Sequence, residues 1–397
     1  MSDPTPSDSS LLFSPLTIRG VTLPNRIVLS PLCMYSAKEG VANDWHMSHL
    51  SVFARGRVGL VFAEATGVEP RGRITPRCLG LWNDEQVEAL KPITAFIESV
   101  GSVPAMQLAH AGRKASARPP FMGGAPLNEE DSARGESPWQ TVGPSSQGLG
   151  GAWPDPHALS VAEIADIVDA FVAATRRTLA AGFKVLEVHG AHGYLIQSFL
   201  SPISNQRNDA YGGDRNGRMR FALEVAEATR AAWPDDLPLF YRISAVDGPN
   251  EGWSMDDSVV LSRELHARGV DVIDCSSGGV LGAPRFRGND EGQPFVSRVA
   301  RGPGFQVPYA QRIREETDAQ TMAVGVIVDP HQAEEILAAG QADLIALGRE
   351  LMYNPFWPLH AAQALSVDEN FDRWPEQYAW AVRTRAALTE FAGVRDQ

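Results

Sequence analysis

Two histidines three residues apart, His189 and His192, stand in the stretch EVHGAHGYLIQSFLSP, with Tyr194 two residues further on. Imidazoles at this spacing can ligate a metal, which needs a third ligand, usually another His or a carboxylate. No H-E-x-x-H pattern supplies one. The pair can instead donate two N–H groups to one substrate oxygen, or sit buried against backbone carbonyls. Tyr194 can donate a proton or simply pack. Arg242 ends the apolar run FYRIS. An interior arginine is costly unless it faces an anion or many acceptors. It reads as an internal salt bridge with Glu187 or Glu64, or as a cation under a bound group that gains negative charge. Cys33 follows Ser30-Pro31-Leu32; it is a nucleophile without an evident activating base, or a small buried residue. His46 and His49, in NDWHMSHL, repeat the three-residue spacing and read as a helix packing near the site.

The elements that must position these groups come from an alternation. Short Val/Ile/Leu-rich runs at 27–32, 59–65, 103–110, 184–189, 239–244, 270–276, 322–327 and 343–348 are separated by amphipathic stretches such as 161–181 and 218–232. Continuous apolar runs suit parallel strands covered by helices. Gly182, Gly269 and Gly340 precede the fourth, sixth and eighth runs, where a helix ends cheaply in a left-handed turn. Eight βα units indicate an α/β fold, a single (β/α)8 TIM barrel. A doubly wound sheet would want G-x-G-x-x-G after an early strand, and the early strands run into SPLCMYS, AEATGVEP and QLAHAGRKAS. Residues 15–26 read as an N-terminal hairpin turning at Arg19-Gly20, a lid on the barrel bottom. Residues 111–159, rich in Gly, Pro and Ser, form a long insertion after strand 3 and read as an active-site lid. The expected organisation is a disordered tail over 1–10, a barrel over 11–365 and an aromatic extension over 366–397 that must pack on something.

Barrel sites lie at the C-terminal ends of the strands. There the sequence places Cys33 and Tyr35, Glu64 and Ala65, Gln107 and His110, His189, Arg242, Ser276 to Gly279, Gly325, and Gly348 with Arg349. The glycines after strands 6, 7 and 8, with Arg349, fit a phosphate better than any single glycine does.

Composition narrows the classes. The chain has 397 residues, 44% hydrophobic and 21% charged, with 35 Lys and Arg against 48 Asp and Glu, a formal charge of −13. An acidic chain without basic runs is a poor nucleic-acid partner. No apolar run approaches the roughly 20 residues of a membrane span, and the polar N-terminus lacks a signal-peptide pattern. The expected location is the cytoplasm. Cys33, Cys78 and Cys275 are too few and too scattered for a disulfide framework or an iron–sulfur site.

PNRIVLSPLCMYS, NDWHMSHL, GRITPRCLGLWND, QLAHAGRKA, VHGAHGYLIQSFLSPISNQRNDAYGG and DLIALGRE, spread over 13–356, together resemble the Old Yellow Enzyme family of flavin-dependent ene-reductases. Cys33 within SPLCMYS resembles the bacterial cysteine-containing, thermophilic-like subgroup. The resemblance implies FMN bound noncovalently at the C-terminal mouth. Ser30, Pro31 and Cys33 would line it, Ala65 and Gln107 would contact its ring system, and Arg242 would sit at its N1/O2 edge. Gly325, Gly348 and Arg349 would hold its phosphate. NADPH or NADH would supply hydride, which passes to the β-carbon of an activated alkene. His189 and His192 would bind the substrate carbonyl, Tyr194 would protonate the α-carbon, Tyr35 would contact substrate, and Cys33 would tune the flavin. EQYAW, with Trp380, resembles a segment that reaches a neighbouring subunit's site, implying a homodimer or dimer-built tetramer. Three other readings stand beside this one. An iron–sulfur-extended flavin barrel would need four clustered cysteines and a further nucleotide-binding domain. A metal-dependent hydrolase or aldolase would use the two histidines. A non-catalytic binding barrel would have no use for so many strand-end polar groups.

Overall fold

The computed structural model describes residues 10–248, 251–281 and 301–391. Most of the expected N-terminal tail, residues 1–9, lies outside them. Eight parallel strands close into a barrel in chain order: β1 (Ile27–Leu29), β2 (Leu60–Gly67), β3 (Val103–Ala109), β4 (Val185–Gly190), β5 (Leu239–Ser244), β6 (Val272–Ser276), β7 (Gln320–Val324) and β8 (Leu344–Leu347). β8 pairs back to β1 through Ile345↔Ile27 and Leu347↔Leu29.

Helices α1 (Asp44–Arg55), α2 (Asp84–Ser99), α3 (Val161–Ala180), α4 (Arg215–Ala232), α5 (Met255–Ala267), α6 (Val307–Glu316), α7 (Pro330–Ala338) and α8 (Trp357–Ala364) follow the strands in turn. Reciprocal capping boxes start several of them: Asn43 with His46, Asn83 with Gln86, Ser160 with Glu163 and Ser254 with Asp257. Each box satisfies two amide donors that the first turn otherwise leaves open. Gly182, Gly269 and Gly340 carry φ of 93°, 88° and 66° at the helix-to-strand turns.

The hairpin forms as expected, Leu16–Ile18 against Val21–Leu23, with Arg19 left-handed at the turn. Its Ile18 and Leu23 pack on Val28, Leu60, Phe62 and Phe240, closing the barrel bottom. The insertion is more ordered than its composition suggests. It contains two 3-10 turns, a short helix (Glu129–Ser132) and a bridge between Val142–Gly143 and His157–Ala158. Trp139 Nε1 donates to Arg71 O (3.0 Å), Ala117 N–H to Ile74 O (2.9 Å), and Arg77 pairs with Glu136 (2.6 Å). These bonds tie it to the loop after β2.

The C-terminal extension packs on its own barrel. Trp374 stacks on Phe356 at 5.9 Å, and Tyr378 Oη accepts from Arg55 Nη1 at 2.8 Å. A final helix, Glu376–Phe391, leaves Trp380 69% exposed.

Candidate active site

The period-2 alternation of each strand decides what enters the barrel. β4 turns Val185, Glu187 and His189 to one face, β5 turns Phe240, Arg242 and Ser244, and β6 turns Val272, Asp274 and Ser276. The register aligns His189 with Arg242 and Asp274 with Arg242. The C-terminal half of the interior therefore holds a buried polar layer of Gln107, Glu187, Arg242 and Asp274. Gln107 Nε2 donates to Glu187 Oε1 at 2.7 Å. Arg242 Nε lies 3.2 Å from Asp274 Oδ2, yet its N–H is not aligned on that oxygen and has no hydrogen-bond partner. Of the partners the sequence offered for Arg242, Glu187 stands in the same cluster, while the close ion pair is with Asp274. Burial, then repulsion from Asp274, pushes the Glu187 carboxyl well above the usual carboxylate range.

Glu64 goes elsewhere. β2 carries one extra residue between Phe62 and Ala65 relative to β3, and such a bulge re-aims side chains. Glu64 Oε1 lies 3.2 Å from His46 Nε2, and Oε2 accepts from Met34 N–H at 3.2 Å. His46 thus does more than pack. It caps α1 and braces the carboxylate beneath the 33–35 loop. Tyr35 in that loop has φ 50°. Cys33 is half-buried and unpaired. Burial, then Glu64, raises its thiol pKa, so it stays protonated and is a poor nucleophile. The Phe121 ring, from the insertion, meets Tyr35 edge-on at 6.3 Å.

The end of β4 brings His189, His192 and Tyr194 together. His189 packs edge-on against both His192 and Tyr194, each with ring centroids 5.1 Å apart. His189 Nδ1 accepts from Ala191 N–H (3.2 Å), which leaves the proton on Nε2. That Nε2 stands 3.3 Å from His192 Nδ1, and His192 Nε2 is 2.7 Å from Ser276 Oγ. Ser276 Oγ also donates to Gln306 Oε1 at 3.4 Å, an arrangement in which His192 Nε2 donates to Ser276 and His192 Nδ1 accepts from His189 Nε2; with the His192 ring in its other tautomer, Ser276 donates to it and two N–H groups face one point. Burial first, then Arg242 and Lys114, holds both imidazoles well below their usual pKa, so both are neutral donors. His192 has φ 60°, a left-handed strain of about 1–2 kcal/mol that its surroundings must offset. Among the described residues, no group of three or more His, Cys, Asp or Glu is arranged to hold a metal ion.

At the opposite side of the mouth, Gly325 has φ 125°, and a Cβ there would meet the Gln306 amide and the Phe305 ring at 2.9 Å. Gln306 Oε1 accepts from Ser277 Oγ at 2.6 Å, and Nε2 donates to Val324 O at 2.9 Å. Gly348 precedes the short helix Arg349–Tyr353. A Cβ on it would make ordinary contact with Leu32 Cδ2 at 3.5 Å and Ser30 Cβ at 3.9 Å, which puts Gly348 beside the end of β1. Burial, then the charge of Arg349, lowers the Arg301 pKa.

These features fit a flavin mononucleotide. Ser30 Oγ and Arg242 Nε are buried without a hydrogen-bond partner at the mouth. Gln107 presents an amide, and the glycine-and-arginine end suits a phosphate. Sequence reasoning missed Asp274, Lys114, Gln197 and Asp247. Asp274 carried a readable signal, a charge inside VIDCS like the one inside FYRIS on the neighbouring strand.

Comparison with known proteins agrees. The model of the NADH:flavin oxidoreductase / NADH oxidase family matches residues 11–368. The NADPH dehydrogenase of Geobacillus thermodenitrificans is 42% identical over 361 residues, covering 90% of this chain and 96% of that protein. That of Halalkalibacterium halodurans is 40% identical over 373 residues, covering 93% and 98%. Among solved structures, morphinone reductase superposes with a TM-score of 0.72 at 25% identity, covering 91% of each chain. The old yellow enzyme homologue from Zymomonas mobilis gives 0.70 at 26%, covering 89% of this chain and 92% of that one. The chain belongs to the NADH:flavin oxidoreductase / NADH oxidase family, the Old Yellow Enzyme family, and is an oxidoreductase that uses FMN and NAD(P)H.

Proposed function

We propose that the protein is an ene-reductase for α,β-unsaturated carbonyl compounds and similarly activated alkenes. The observation that carries this reading is the pair of neutral imidazoles whose His189 Nε2 and His192 Nδ1 stand 3.3 Å apart, and which offer two N–H groups when the His192 proton is on Nδ1. Two N–H donors at that point bind a carbonyl oxygen and strengthen as negative charge develops on it. Their low pKa keeps them hydrogen-bond donors and not competing acids. The chemistry FMN supplies when bound is two-electron hydride transfer, from NADPH or NADH and on to the alkene β-carbon. Tyr194 holds its proton, because burial and then Cys33 raise its phenol pKa. It delivers that proton to the α-carbon as a general acid. Tyr35, projecting from the 33–35 loop, contacts the substrate from the opposite wall.

Ser30, Pro31, Cys33, Ala65 and Gln107 line the flavin on this reading, with Arg242 at its N1/O2 edge. Gly325, Gly348 and Arg349 hold its phosphate. The Cys33 thiol tunes the flavin through a weak contact and takes no covalent part. The catalytic unit is the barrel over 11–365. The 366–397 extension, with Trp380 exposed, serves a homodimer or dimer-built tetramer in the cytoplasm. No helix among the described residues is long and apolar enough to cross a membrane.

An anaerobic titration of the purified yellow protein tests the reading. NADPH should bleach the flavin absorbance and 2-cyclohexenone should restore it. A protein bleached by NADPH that no enone, nitroalkene or quinone reoxidises would overturn the alkene assignment.

A further inference from the structure

The loop that carries His192 and Tyr194 is under tension that the strands alone do not resolve. His192 and Gly193 are left-handed in succession, with φ of 60° and 72°. Gly193 has no room for a side chain, since a Cβ would lie 2.3 Å from Gly279 O. One peptide unit, the C=O of His192 and the N–H of Gly193, joins the two residues and sets where each neighbouring side chain points.

That peptide is gripped at both ends. Lys114 Nζ, from the base of the insertion, donates to His192 O at 2.7 Å and also to Gly279 O. Its ammonium sits over the Tyr194 ring, 5.6 Å from the centroid. On the other side, Gly193 N–H donates to Gln197 Oε1. The Gln197 amide cannot flip, because its Nε2 donates to Asp247 Oδ1 at 2.7 Å. Asp247 Oδ2 is fixed in turn by Ser201 Oγ (2.6 Å) and the Trp253 N–H (2.7 Å). Gln197, Ser201 and Asp247 are all buried. A buried carboxylate is expensive; Asp247 acts on the strained peptide through Gln197, while the half-buried Lys114 grips its other end directly.

We propose that Lys114 and the Gln197–Asp247 pair are positioning residues that lock the His192–Gly193 peptide plane and so aim the His192 imidazole and the Tyr194 phenol at the substrate. The proposal rests on the ene-reductase reading. None of the three residues touches the reacting atoms. Without either grip the peptide can rotate, which displaces His192 from His189 and Tyr194 from its place beside it.

The test measures both half-reactions in holoenzyme carrying Lys114→Met, Gln197→Met or both. Each single change should slow reoxidation by 2-cyclohexenone about 100-fold, the cost of misplacing a reacting group by roughly an ångström. FMN content and the NADPH step should stay near wild type. Because both changes release one peptide, the double variant should be little worse than the poorer single. Single variants at the wild-type enone rate, or a double effect that multiplies to about 10⁴-fold as independent sites would, overturn the proposal. Asp247→Asn, which keeps an acceptor for Gln197, should recover most of the rate lost in Asp247→Leu. Equal losses in both would also overturn it, and this pair decides the matter if Lys114→Met fails to fold. Wild-type enzyme that NADPH reduces but 2-cyclohexenone does not reoxidise overturns the ene-reductase reading itself. Wild-type turnover with unaffected variants overturns only the peptide lock.

Discussion

At the N-terminal end of the barrel the strands turn Ala105, Val185, Phe240 and Val272 inward, beneath the hairpin residues Ile18 and Leu23. Two residues further along the same strands stand Gln107, Glu187, Arg242 and Asp274. One end is a dry apolar plug. The other is a layer of charges and amides with buried polar atoms that lack protein partners. The strands are continuous between the two, so the difference is not one of backbone. It teaches that the plug supplies the stability that lets the mouth keep groups poorly satisfied until a ligand arrives.

If that division holds, damage at each end should show in a different measurement. The largest expected effect is at the mouth: His189→Ala with His192→Ala should slow enone reduction by about 10⁴-fold or more, since removing one such donor costs roughly 10²–10³. FMN should remain bound, as read from absorbance after gel filtration. At the plug, Phe240→Ala should cost about 3–5 kcal/mol in denaturant unfolding, the range for a buried phenylalanine. The folded fraction should keep its flavin spectrum and its turnover per flavin. Tyr194→Phe should lower the enone step by about 10²-fold and leave the NADPH step nearly unchanged in stopped-flow traces.

The smallest effect concerns pH. Glu187 is raised above its usual 4.5 by burial and by Asp274, so the folded protein holds that proton more tightly than the unfolded chain does. The Glu187 contribution to wild-type stability is then fully present below pH 4.5 and is lost as pH rises toward the elevated value. Glu187→Gln removes the titration. Its stability should gain on wild type by up to about 1.4 kcal/mol per pH unit across that window, measured as unfolding midpoints at several pH values.

Much of this was legible in the sequence, and the limits are instructive. The eight apolar runs gave the barrel, and their order gave the mouth. Boundaries moved where local conformation intervened. The seventh strand ends at Val324, before the expected 327, because Gly325 turns to φ 125°. The first ends at Leu29, before the expected 32, as the chain leaves the ladder toward the left-handed Tyr35. Arg242 was visible because a charge interrupts an apolar strand. Lys114 and Asp247 were not, because each lies in a turn or loop where no periodicity marks a residue as buried, and Gln197 was not, because all six residues of its short helix, Leu195–Leu200, are buried and leave no contrast between faces. Their partners are up to 165 residues away in the chain, as with Lys114 and Gly279. The Glu64–His46 pair was hidden by a one-residue bulge, which reverses the face that alternation assigns.

The most direct test of the central claim is where the two hydrogens land. A single turnover of NADPH-reduced enzyme with 2-cyclohexenone in D₂O should give cyclohexanone hydrogenated at both carbons, with deuterium at Cα delivered through Tyr194, in an amount equal to the flavin reoxidised. Protium at Cα, or reoxidation of the flavin without a saturated product, would contradict the account.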